Sequence, residues 1–212
     1  MGYTPKEGAA KILDVIAKAE GFTVKLFAND ISANTSYLNF TLADFTLLTT
    51  ETSWGGWGTS TSHRTLTTSA WTTAALGTGE VARSTAADKT WTFTTAIAST
   101  NHTGTLTNGA TLISNLAGAS VLILGMKVEY PTAVSTNCTI TSLASTSSVG
   151  ISEAAGLTTA SATIPFRPQI HGHILIGSSS SFIYRVVSHT GFSPTKYGDY
   201  YSMTPTLVIM EE

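Results

Sequence analysis

The stretch DKTWTFTTAIAST, residues 88–100, sets Trp91, Phe93 and Thr95 against Thr90, Thr92 and Thr94. A two-residue period of this kind is the signature of a half-buried β-strand. Such a strand needs an antiparallel partner, which normally follows after a short turn. The next bulky alternating run is TIPFRPQIHGHILIG, residues 163–177. A structureless loop of that length does not fit inside a compact domain. The intervening segment must carry structure of its own.

That segment contains only three charged residues, Lys127, Glu129 and Glu153. It breaks into the short β runs GTLTNGATLISNL, GMKVEY, NCTITSLAS, SVGISEA and TTASATIPF, with Gly or Asn at the junctions. We read residues 101–163 as a small β module inserted between two paired strands of a larger domain. Insertion at a hairpin tip costs little, because closure entropy grows only logarithmically with loop length. The flanking strands, ending near Ala96 and beginning near Phe166, are then expected to pair with each other.

The rest of the chain supports a β fold. Charged residues are 11% of the 212, less than half of the usual share of about a quarter. Thr, Ser, Ala and Gly stand in their place, and Thr suits a strand because it is β-branched and tolerates water. One helix interrupts the pattern. Thr4 is its expected N-cap, Pro5 its first position and Glu7 its capping-box partner. Ala9, Ile12, Leu13, Ile16 and Ala19 make a narrow apolar stripe, and Gly21 marks the stop. The stripe suits either the protein's own sheet or a neighbouring subunit. The expected fold is all-β: an antiparallel β-sandwich or jelly-roll-like domain (22–100 with 164–212), a short N-terminal helix or arm (1–21), and the inserted small β module (101–163).

Composition also narrows function. The formal net charge is −2 and no Lys/Arg cluster occurs, which argues against a nucleic-acid partner. The start of the sequence has no apolar signal region, and the longest apolar run, SVLILGM, is too short for a bilayer. Neither a membrane partner nor export is expected. Cys138 is alone, so an intrachain disulfide is excluded, and it reads as a small core residue.

The search for chemistry returns few candidates. His171 and His173 form the one His-x-His, a spacing that places two imidazoles on one face of a strand. A metal site needs more ligands than two, and Gly172 suggests a bend or bulge, so a structural pair is favoured and a metal shared around a three-fold axis is the alternative. Asp30, Asp44, Asp88 and Asp199 sit at turn positions, which is where Asp is preferred, rather than as a convergent acid–base pair. Ser62-His63 and Ser188-His189 lack a nucleophile-elbow context. No catalytic residue and no cofactor is expected. Trp54, Trp57, Trp71 and Trp91 could stack on sugars, although Trp more often packs a core. Tyr197, Tyr200 and Tyr201 are candidate interface residues, because Tyr is enriched where subunits meet. Ile12 and Ile16 of the helix are candidates for the same role.

Two resemblances cover most of the chain. KEGAAKILDVIAKAEGFTVKLFANDIS and TLADFT resemble the opening of a group of small virion proteins of tailed bacteriophages. STAADKTWTFTTA and the run from HGHILIG to YYSMTPTLVI are similar to the remaining strands of that domain, with Gly198, Asp199, Thr204 and Pro205 matching its last strand. In that group the strands matching Trp91–Thr95 and His173–Ile176 follow each other almost directly, so the insert is a departure. GTLTNGATLISNLAGASVLILGMKVEY and TITSLASTSSVGISEAA resemble a repeat of phage tail fibres and bacterial surface proteins.

These resemblances imply a structural virion protein. The expectation is a capsid decoration (cement) protein on the outer surface of a phage head, trimeric, made in the host cytoplasm, with the major capsid protein as partner. The alternative is a receptor- or glycan-binding module of a tail fibre or spike.

Overall fold

The computed structural model describes residues 6–19, 21–34, 39–47, 63–66, 71–93, 98–193 and 199–210. Helix α1 (Lys6–Ala19) precedes strands β1 (Phe22–Phe27), β2 (His63–Leu66), β3 (Trp71–Thr73), β4 (Glu80–Ala86) and β5 (Lys89–Thr92). Next come β6 (Thr100–Leu106), β7 (Leu112–Ile113), β8 (Lys127–Val128), β9 (Ile140–Ser145), β10 (Ser148–Ile151) and β11 (Thr159–Arg167). The chain continues through β12 (Ile170–Gly177), β13 (Ile183–Phe192), β14 (Tyr200–Met203) and β15 (Thr206–Met210). The fold is all-β with one short N-terminal helix, and its strands form several antiparallel sheets.

The larger module is a sandwich. Its main sheet runs β13-β12-β1-β2, and β15-β4-β3 and β14-β5 complete it. One core joins these sheets: Phe22, Val24 and Leu26 from β1, Leu175 from β12, Ala82 and Ala86 from β4, Trp91 from β5 and Leu207 from β15. The alternation of β1 explains its contribution, since residues 22, 24 and 26 share one face of a strand. On the opposite face Phe27, Ile174 and Ile176 pack with Ile31 and Phe45. Strand β12 is therefore covered on both sides, and all of its residues are buried. Its sequence, IHGHILIG, is the near-continuous apolar run expected of such a strand.

Helix α1 lies on β4 and β15 of its own chain. Ala9 and Leu13 are buried in the sandwich core and Ile16 packs against it, whereas Ile12 and Val15 face outward. Thr4 and Pro5 lie outside the described residues.

The second module spans β6 to β11. Its sheets, β6-β11-β8 and β7-β10-β9, enclose a separate core that includes Leu106, Ile113, Val128, Cys138, Ile140, Val149, Ile164 and Phe166. Here the structure corrects one expectation. The strand of Trp91 does not pair with the strand of Phe166: β5 pairs with β14, Trp91 opposite Tyr201. Phe166 pairs instead with Thr100 and Val128. β11 closes the second module, and only Pro168 and Gln169 separate it from β12. A run of bulky alternating residues marks a strand but not its partner, because pairing is decided by packing between faces.

The modules meet at a seam. The Asp30 amide donates to the Leu124 carbonyl at 3.0 Å, and Ile123 packs against both cores. Gly125 completes the contact with φ +81°, a left-handed conformation that glycine adopts without strain. A side chain there would run into the imidazole of His171 and into Asp30.

Candidate functional site

Above the seam lies a cleft of about 730 Å³ between the two modules. One wall comes from β13, where pairing with β12 is irregular: Ile170 lies opposite Phe192, but Gly172 lies opposite Ser188. Over that interval β12 advances two residues and β13 four, so β13 carries a bulge at 189–191. A bulge bends its strand and re-aims side chains. It turns Ser188, His189 and Thr190 toward the cleft. Gly172, read from sequence as a sign of a bend or bulge, sits directly across from it. A side chain on Gly172 would strike the Val187 carbonyl and the Phe27 ring.

The second wall is β8 and the loop after it, with Lys127, Glu129, Asn137 and Thr139; Arg167 and Gln169 form the connecting floor. Arg167 grips Glu129 with two hydrogen bonds, Nε to Oε1 at 2.8 Å and Nη2 to Oε2 at 3.0 Å. The Ser99 hydroxyl donates to Oε2 at 2.6 Å. Burial alone would raise the Glu129 carboxyl, but the hydrogen bonds from Arg167 and Ser99 and the positive charge beside it outweigh burial and hold it below the usual value. A carboxylate held by three donors is a brace, not a free base.

Three histidines lie at or near the β13 wall, and His171 and His189 line the cleft itself. His171 is buried, and its Nε2 donates to the Gly125 carbonyl at 3.0 Å, tying β12 to the second module. Burial lowers its pKa despite that bond and the nearby Asp30. His173 is also buried, with Nδ1 2.7 Å from the Tyr201 hydroxyl, and burial lowers its pKa to about 4. The same hydroxyl lies 3.2 Å from His189 Nε2. His189 Nδ1 is 2.7 Å from the Thr190 carbonyl, which only accepts, so Nδ1 carries the proton. The Tyr201 hydroxyl thus bridges the imidazoles of His173 and His189. Burial also raises the Tyr201 phenol. The three groups form one hydrogen-bonded line.

The residues singled out in the sequence are thus dispersed. His171 and His173 sit close together but serve different partners. Among the described residues no group of three or more His, Cys, Asp or Glu is arranged to hold a metal. Tyr201 is half-buried and bonded inward, Tyr200 is 66% exposed, and Tyr197 and Gly198 lie outside the described residues. Ile12 is exposed, while Ile16 leans on the sandwich core. Trp91 is fully buried and Trp71 packs against the same core; Trp54 and Trp57 lie outside the described residues. The sequence reading did not single out Glu129, Arg167, Gln169 or Asn137 as site residues. No local motif marks them, since Glu129 and Arg167 are 38 positions apart.

Comparison with protein-family models, with curated proteins and with solved structures finds no match to this chain.

Proposed function

We propose that the chain is a structural component of a tailed-bacteriophage virion, a decoration protein that binds the outer surface of the head as a homo-oligomer. The partner in this reading is the major capsid protein, the oligomer is a trimer, and no reaction or cofactor is assigned. The sequence resemblances support it. The observation that carries it is on helix α1: with its inner face docked, Ile12 and Val15 remain 48% and 53% exposed on the outside. Three positions apart, they are neighbours on the helix surface. An apolar pair kept in water on an already packed element is suited to contact with another chain.

The physical task fits such a surface. A ligand that binds the assembled shell and not free subunits stabilises the shell by mass action. It needs contact area and closed symmetry, not catalysis. With 11% charged residues, this chain can bury surface without desolvating many ions.

Particles lacking the protein should assemble but release DNA at lower temperature or under osmotic stress, and purified protein should restore them. Copy number per particle should match the shell. Unchanged particle stability together with lost host adsorption would reject this reading in favour of a tail fibre or spike.

A further inference from the structure

We propose that the cleft between the two modules is a binding site for a neutral saccharide. Its volume of about 730 Å³ falls within the span of small-molecule sites, roughly 300–1,000 Å³, and such sites favour boundaries between structural units. Its charges cancel. Lys127 and Arg167 stand against Asp30 and Glu129, and Arg167 is already paired with Glu129. A site for phosphate or for a polycation would carry an excess of one sign.

What the walls offer instead is uncharged hydrogen bonding. Asn137 and Thr139 line it from the second module, Ser188 and Thr190 from the bulged strand, and Gln169 from the floor, where its Nε2 also donates to the Gly191 carbonyl at 3.4 Å. Amides and hydroxyls both donate and accept, which matches sugar hydroxyls that do the same. Phe192 adds one apolar ring to the lining and is itself braced by Phe93 at a centroid distance of 6.5 Å. A ring in a polar cleft suits the C–H face of a pyranose. A lipid or an apolar cofactor would leave the polar walls unpaired, at a cost for each group. The two walls belong to different modules, so an occupant would bridge them.

The inference rests on the cleft alone and is tested on the isolated full chain, whereas the decoration reading is tested on particles. The protein would be titrated with neutral tri- and tetrasaccharides of glucose, galactose, mannose and N-acetylglucosamine, using saturation-transfer NMR and calorimetry. Inorganic phosphate and a sialylated trisaccharide serve as charged probes. At least one neutral saccharide should bind, and Asn137→Ala combined with Gln169→Ala should weaken it about tenfold or more, as expected for two lost hydrogen bonds. Asn137 and Thr190 are both exposed, so Asn137→Ala with Thr190→Ala gives the same answer should the Gln169 variant unfold. No neutral saccharide binding, binding of the charged probes alone, or binding that survives both variant pairs would overturn the proposal. So would binding lost in Trp54→Ala with Trp57→Ala but retained in the cleft variants.

Discussion

The Tyr201 hydroxyl lies 2.7 Å from Nδ1 of His173, so a strand near the end of the chain is latched to the central strand of the sandwich. Both groups are shielded from water, and that shielding gives the latch a dependence on acidity. His173 titrates at about 4 in the fold, against 6.5 for the free side chain. A lowered histidine pKa means the fold favours the neutral form. The stability it protects is complete above pH 6.5 and drains as pH falls toward 4. The loss amounts to about 3 kcal/mol once His173 is fully charged. Urea midpoints measured from pH 7 to pH 4 should fall, and His173→Gln should flatten that fall. Parallel curves for the two proteins would refute the assignment.

Glu129 acts in a lower window. Its carboxyl is held below 4.5, so its contribution is present above that value and lost as pH drops further. Arg167→Ala removes two charge-assisted bonds and leaves the carboxylate to Ser99 alone. The expected cost is about 2 kcal/mol, read as a lower urea midpoint at neutral pH. Arg167→Lys should recover only part of it, because an ammonium cannot reproduce the two-pronged grip.

Residues 98–168 should fold alone. All strands of the second module pair with one another, and its core is separate from that of the sandwich. The excised fragment should unfold cooperatively by circular dichroism and give dispersed amide NMR signals. Its midpoint should lie below that of the same module in the intact chain, since the bonds from Asp30 and His171 are lost. A collapsed, non-cooperative fragment would show that the seam is part of its core.

Helix α1 places a buried and an exposed apolar residue, Leu13 and Ile12, at adjacent positions. Leu13→Asp puts a charge into the sandwich core and should lower stability by about 3 kcal/mol or more. Ile12→Asp changes a half-exposed residue and should cost about 0.5 kcal/mol, while weakening self-association or particle binding. Thermal melts combined with light scattering check both. An Ile12→Asp protein that melts like Leu13→Asp would remove the helix's outer face from consideration.

The local grammar of this chain was readable. The apolar stripe forms a helix at Lys6–Ala19, the alternation after Gly21 forms β1, and Gly172 does sit at an irregular pairing. Each of these is decided within a few residues. The partner of Trp91 was not readable, because Tyr201 lies 110 positions away and any bulky strand satisfies the same pattern. The cleft was hidden for a similar reason. Its charges and amides come from Asp30, Glu129 and Gln169, residues that meet only once two modules have docked. Motif spacing encodes sites carried by one element, and this one is carried by a junction.

The two-residue link of Pro168 and Gln169 has a mechanical consequence. A pull on the second module along β11 enters the sandwich at the end of β12, the strand flanked by β1 and β13 on its two edges. Load applied along that strand is shared by the hydrogen bonds of both ladders at once. Bonds loaded in parallel yield at a far higher force than bonds peeled one after another. The module is thus anchored to a strand that is paired along both of its edges.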